Sequence, residues 1–416
     1  MKPRMIRFWV GVSLLLLPVP SLAGGRFIQS EFLTVGARYA GMGGGHVALP
    51  GGVSSAYYNP ALLPWENRLE FAVEGSYTHD PAFEANGGES KLTHHDRGNF
   101  SLVGVRLPDL RGFSFVLLET TRYDHDIRGY LFGRPPGGGT KPLPKTADNS
   151  TIQTYEDRAT INSFGLGVGY KTSPNTSVGL SFWVDRKKVF KERDYEGSRY
   201  DPTQEAIDNN WFDAEATTND VSIRLAGGMY HRLSDRIDLG VGFTTGSDLT
   251  SVLQIDQWVE DGLTQADSTA TEKTPWVVQG GASYYWSRTL RFAGDLTYQH
   301  WGSQENKKSV VQIGLGSEWE QSPRLVLRGG FCTSFDPGDR EDDEAYAEAL
   351  RDLGESGNLY PSDEYFLTFG AGYRLRPYLQ LDGSVANSDL LSPEDGRTDI
   401  RFAVRFLVDP DREEGM

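Results

Sequence analysis

From Leu69 onward the chain keeps returning to segments of 10 to 13 residues in which apolar and polar residues alternate, the period of a strand whose two faces meet different surroundings. The stretch Leu290–Gln299 is the clearest: Leu290, Phe292, Leu296 and Tyr298 fall on one face, and Arg291, Asp295, Thr297 and Gln299 on the other. In the same way Val221, Ile223, Leu225 and Met229 oppose Ser222 and Arg224, and Ile400, Phe402, Val404 and Phe406 oppose Arg401 and Arg405. A soluble sandwich buries the apolar face, whereas an outer-membrane barrel turns it to lipid and lines its lumen with the polar one. Segment length separates the two, because a tilted membrane strand needs about 9 to 11 residues and a globular strand averages about 5 or 6.

Six short turns are expected, at Pro108–Leu110, Thr172–Asn175, Leu233–Arg236, Trp286–Arg288, Glu320–Pro323 and Leu375–Pro377, alternating with long polar connections at Asp80–Arg97, Tyr123–Asp157, Lys191–Thr218 and Asp336–Ser362. Short turns at one end and long loops at the other is the outer-membrane arrangement. Six hairpins give twelve strands, and Leu69–His79 with Thr398–Val408 bring the total to fourteen, an even number as such barrels have. The strand-like Leu249–Trp258 is assigned to an extension of the preceding strand or to its outer loop. The fold class is therefore all-β, a 14-stranded antiparallel transmembrane β-barrel over residues 69–408.

Aromatic residues gather where strands end, among them Tyr170, Trp183, Tyr230, Trp258, Trp276, Tyr284, Tyr285, Trp286, Trp301, Trp319 and Tyr373, and two girdles at headgroup level are expected of them. Beyond residue 23 no apolar run reaches the roughly 18 residues of a membrane helix. Residues 1–23 carry Lys2, Arg4 and Arg7, an apolar run from Phe8 to Leu17 and a Ser21-Leu22-Ala23 step, the layout of a secretory signal peptide cut after Ala23. Its removal would take the formal charge from −16 to −19, which speaks against nucleic acid as a partner. The single cysteine, Cys332, makes no intramolecular disulfide. Residues 409–416 form a polar tail after the last aromatic strand.

Residues 24–68 remain, and within them Gly36–Pro64 is too rich in glycine and small residues to make a core of its own. Its glycines permit positive φ and close backbone approach, while Pro60 and Pro64 fix turns and Asn59 can bond nearby amides. Tyr57, Tyr58, Leu62, Leu63 and Trp65 are poor linker residues, so the stretch is expected to fold back into the barrel as a lumenal plug. Gly165, Gly167 and Gly169 share one strand face and would leave room for it.

Gly36-Ala37-Arg38, Gly41-Met42-Gly43-Gly44 and Ser54 to Ala61 with its Asn59-Pro60-Ala61 step resemble the N-terminal region of the FadL/TodX superfamily. The resemblance implies a plug carried by Gly41, Met42, Gly43, Asn59, Pro60 and Ala61, and passive uptake of long-chain fatty acids or aromatic hydrocarbons across the outer membrane of a Gram-negative-type bacterium. It also implies outer-membrane lipid and lipopolysaccharide as surroundings. PorV-like barrels of a secretion system share the N-terminal pattern, so the alternative is an adaptor whose partner is a secretion-machinery protein.

Charges of both signs are expected in the lumen: Arg224, Arg291, Arg328, Arg401 and Arg405 with Asp238, Asp295 and Asp382. Most should pair across the wall, and an unpaired arginine can hold a fatty-acid carboxylate in bidentate fashion. No nucleophile elbow, metal-binding helix or dinucleotide loop is present, since His46 stands where the last glycine of that loop belongs. The expectation is no enzyme, no cofactor and no metal; His94-His95-Asp96 reads as solvated loop and the acidic, Ala-rich Asp336–Asp352 as a solvated helix in a loop.

Overall fold

The computed structural model describes residues 35–79, 83–85, 90–94, 97–133, 151–201, 206–259, 262–302, 308–335, 363–388, 390–391 and 397–408. The leader, the polar tail, His95-Asp96 and the acidic loop lie outside the described residues. In chain order the strands are β1 (Leu69–His79), β2 (Phe83–Ala85), β3 (Ser90–His94), β4 (Arg97–Arg106), β5 (Phe113–Gly133) and β6 (Thr151–Ser173). There follow β7 (Thr176–Asp201), β8 (Ala206–Ser234), β9 (Ile237–Thr244), β10 (Asp248–Val259), β11 (Gly262–Lys273) and β12 (Trp276–Tyr285). The last six are β13 (Leu290–His300), β14 (Val310–Glu320), β15 (Leu325–Ser334), β16 (Glu364–Arg376), β17 (Leu379–Asn387) and β18 (Thr398–Val408).

Fourteen of these make a closed antiparallel barrel, shut by pairing of β1 with β18 from Leu69↔Val408 to His79↔Thr398. The expected strand count is thus met. The pair β2–β3 leans on the extension of β5, and the hairpin β10–β11 leans on that of β8. Beneath that hairpin β9 pairs directly with β12, so the Leu249–Trp258 piece stands outside the wall as expected, with an unforeseen partner in β11.

One expectation is corrected. Where they are described, the stretches Tyr123–Asp157 and Lys191–Thr218 are strand rather than connection: β5, β6, β7 and β8 run for 21, 23, 26 and 29 residues, far more than a bilayer needs. Their distal halves carry no apolar alternation in sequence, so nothing in the pattern distinguishes them from a polar loop.

The apolar face points outward. Val221, Ile223, Leu225, Phe292, Leu296, Phe402 and Phe406 are exposed, while Arg224, Asp295, Asp382 and Arg401 in the same or neighbouring strands are buried. A soluble protein does the reverse, and closed sheets with this inversion suit a bilayer, where every backbone group must be satisfied inside the ladder. Near the short turns Phe113, Tyr170, Tyr284, Trp286, Trp319, Tyr373 and Tyr378 form an exposed aromatic belt; toward the other end stand Tyr77, Phe100, Trp276, Tyr298 and Tyr365. Trp183, Tyr230 and Trp301 do not join the belts: all three are buried. Trp183 shares strand parity with the buried Ser181 and Asp185, and Tyr230 with Arg224, so both face inward. No helix among the described residues is long and apolar enough to cross a membrane.

Candidate functional site

The chain from Val35 to Trp65 folds into short helical turns, Ala37–Ala40 and Ser55–Tyr58, with 3-10 turns at Gly52–Ser54 and Pro60–Trp65. It is almost wholly buried against the inward-facing residues of the wall. Asn59 caps the last turn: its side-chain oxygen accepts from Ala61 N at 3.1 Å, and its amide donates to Val47 O at 2.8 Å and to Met229 O of β8 at 3.1 Å. One side chain therefore ties the segment to itself and to the wall. Pro60 follows at the first helical position, where its missing N–H costs nothing.

Close approach is obligatory at several places, Gly43 and Gly228 among them. Gly43 has φ +61, and a Cβ there would meet Phe331 O of β15 at 2.5 Å. On the other side a Cβ on Gly228 of β8 would collide with the Asn59 carboxamide. Of the three glycines of β6, Gly169 makes the room expected for the segment, since an added Cβ would strike Pro60 and Pro64; Gly167 does so in part, meeting Ser181 and Val116 of the wall before Ala56, and Gly165 makes room for the wall's own Trp183.

Around Gly36 to Val47 the contacts are ionic. Glu74 of β1 accepts from Gly36 N at 3.3 Å and Ala37 N at 2.6 Å, and Asp295 of β13 accepts from His46 N at 2.5 Å and Val47 N at 3.0 Å. Arg38 grips Glu318 of β14 with Nε at 2.9 Å and Nη2 at 3.2 Å, and donates Nη1 to Pro50 O at 2.7 Å. Burial works against the Arg38 charge, but Glu318 and Glu66 outweigh it and hold the guanidinium firmly protonated. His46 Nδ1 lies 3.2 Å from Asp295 Oδ2. Burial pushes the His46 imidazole down to about 3, so at neutral pH the ring is neutral and that contact is no ion pair.

Each of the five arginines singled out in the sequence has a carboxylate partner. Arg328 bonds Glu318 at 2.7 Å and Asp382 at 2.8 Å, and Arg291 also reaches Glu318. Arg405 bonds Asp382 at 3.1 Å and lies 3.5 Å from Glu70; Arg401 bonds Glu74 and Asp399, both at 3.1 Å. Arg224 bonds Asp185 at 3.1 Å, its guanidinium 5.4 Å from the Tyr57 ring centroid and 5.3 Å from that of Trp183. Sequence reasoning named Asp382 and Asp295 but missed Glu70, Glu74, Asp185, Glu318 and Asp399. Strand parity would have found Glu70 and Glu74, which alternate with outward-turned Phe71 and Val73.

Beside Gly43–His46, and toward the end of the barrel away from the short turns, lies a cavity of about 70 Å³. Tyr57 and Tyr58 line it from the segment, and Val277, Gln279, Gln299, Gln312 and Cys332 from the wall. The two tyrosines meet edge to face at 4.9 Å. Its volume is about half the ~150 Å³ of a dry cavity that takes benzene, so as it stands it admits only part of a ring-sized molecule. Among the described residues no group of His, Cys, Asp and Glu is arranged to hold a metal.

No protein-family model matches this chain, and no curated protein matches it in sequence. Solved structures do match, over nearly the whole length. The toluene transporter TbuX of Ralstonia pickettii superposes with a TM-score of 0.61 at 12% identity, covering 91% of this chain and 99% of that one. A FadL homologue of Pseudomonas aeruginosa gives 0.63 at 14%, covering 94% and 99%, and the toluene transporter TodX of Pseudomonas putida 0.61 at 13%, covering 90% and 98%. At these identities the likeness is one of fold, and the fold of this chain is that of the FadL and TodX hydrophobic-compound transporters.

Proposed function

We propose that the protein is an outer-membrane transporter that passively admits hydrophobic molecules, of the kind of long-chain fatty acids or aromatic hydrocarbons, through a barrel plugged by its own N-terminal segment. The observation that carries this reading is the combination of an apolar-out barrel with a buried segment, Val35–Trp65, seated against its inner wall. Near full-length likeness to toluene transporters and to a FadL homologue supports it. Residues 1–23 act as the signal peptide, 24–68 as plug, 69–408 as barrel and 409–416 as tail. Gly41, Met42, Gly43, Asn59, Pro60 and Ala61 set the plug, and the function involves no covalent chemistry.

In this reading ligand enters at the end bearing the long strand extensions, meets the cavity beside Tyr57 and Tyr58, and passes when the segment shifts or the wall parts. The five arginines first hold the segment and the wall together, and one exchanges its carboxylate partner for a fatty-acid headgroup as the segment moves. Proteoliposomes holding the purified protein should take up labelled toluene or oleate faster than empty vesicles. Equal rates, with a polypeptide co-purifying instead of a lipid-like ligand, would replace this reading with the PorV-like adaptor.

A further inference from the structure

The cavity beside the segment carries a feature that passage of bare hydrocarbons does not call for. Gln312 of β14 is only 5% exposed, lines the cavity, and its amide Nε2 has no hydrogen-bond partner. A buried donor left unpaired is costly, and such groups are seldom found without a water or ligand to accept from them. Gln279 and Gln299 line the same space, so amides recur on one side of a chamber that also presents the rings of Tyr57 and Tyr58. An aliphatic residue in place of Gln312 would serve a hydrocarbon better, because its unpaired amide must be stripped of water when an apolar ligand enters.

We propose that this chamber recognises hydrophobic molecules bearing an oxygen acceptor, a carbonyl or an ether, in preference to unsubstituted hydrocarbons. The ligand oxygen accepts from Gln312 Nε2 and the hydrocarbon body lies against the tyrosine rings. At about 70 Å³ the chamber takes the oxygen and its nearest carbons, and the remainder projects along the barrel away from the short turns. This selectivity rests on the transport reading, which it deepens by naming the ligand class.

Acetophenone and ethylbenzene share a ring and carbon skeleton and differ in the oxygen. Titrated calorimetrically into the purified full chain in detergent, acetophenone should bind about tenfold more tightly than ethylbenzene. Gln312→Leu should erase the difference between the two probes, weakening acetophenone while ethylbenzene binds at least as tightly as before, with Gln312→Met as a second variant and heat-modifiable migration as the check that each barrel is folded. Equal binding of both probes to the natural chain would overturn the proposal, as would a preference that survives both variants. If neither probe binds while proteoliposomes still take up toluene, the recognition site is refuted and the transport reading stands. If uptake is also absent, both fall.

Discussion

The two halves of the N-terminal segment are seated by different physics. Gly36 to Val47 is held by wall carboxylates: Glu74 and Asp295 each accept two backbone amides, and Glu318 takes the Arg38 guanidinium. Val53 to Trp65 is held by shape, with Tyr57 edge-on to Trp183 at 5.5 Å, Trp65 against Tyr230 at 4.8 Å, and Asn59 the main polar tie to β8. A seat of buried charges depends on every partner being present and ionised, whereas a seat of close-packed surfaces depends on volume. The first half is accordingly the one that protonation or loss of a single carboxylate releases, and the second is the anchor about which it would move.

The largest effect expected on this contrast comes from Gly43→Val. Its side chain would enter the Phe331 backbone at a positive φ, costing roughly 3 kcal/mol or more, so hydrogen exchange should show Gly36 to Val47 unprotected while Ser55 to Leu63 stays protected. Glu318→Gln comes next. It leaves Arg38, Arg291 and Arg328 without their shared carboxylate, a loss on the order of 3 kcal/mol, and should free the first half in the same assay. Asn59→Ala removes three hydrogen bonds from the shape-held half, about 1 to 3 kcal/mol, and should loosen the second half without making either half more sensitive to pH.

The smallest effect is a dependence on acid. His46 is held at about 3 against an ordinary value of 6.5, so a released segment takes up a proton below pH 6.5 that the seated one refuses. The contribution of His46 is therefore complete above pH 6.5 and is lost as pH falls from there toward 3, by at most about tenfold per unit. The groups facing the ring are Asp295, Tyr39 and Tyr58. Channel openings in a planar bilayer should rise up to about fivefold between pH 6.5 and 5.5, and His46→Gln should flatten the response.

Most of the wall could be read from the chain, because a bilayer on one face and a polar interior on the other stamp a period of two on each strand, as in Leu290–Gln299. The reach of β5 to β8 could not, since their distal sequences carry no such period. The segment was readable through its glycines and Asn59, whose spacing reports how closely two backbones approach. Its ionic seat was only half visible. Arg328 and Asp382 show as inward positions by parity, but that Glu318 gathers three arginines depends on the register that sets it opposite Arg291 of β13 and Arg328 of β15, and on Arg38 reaching it from the segment. Trp183 and Tyr230 were misassigned to the girdles by residue type, although their parity with Asp185 and Arg224 pointed inward.

Whether the segment closes the barrel is tested most directly by ionic conductance in planar bilayers, comparing the natural chain with one lacking residues 35–65 and checked for barrel formation. A natural chain that is silent and a shortened one that opens a steady pore are the expected pair. A natural chain that already conducts as freely as the shortened one would contradict the plug and the transport route built on it.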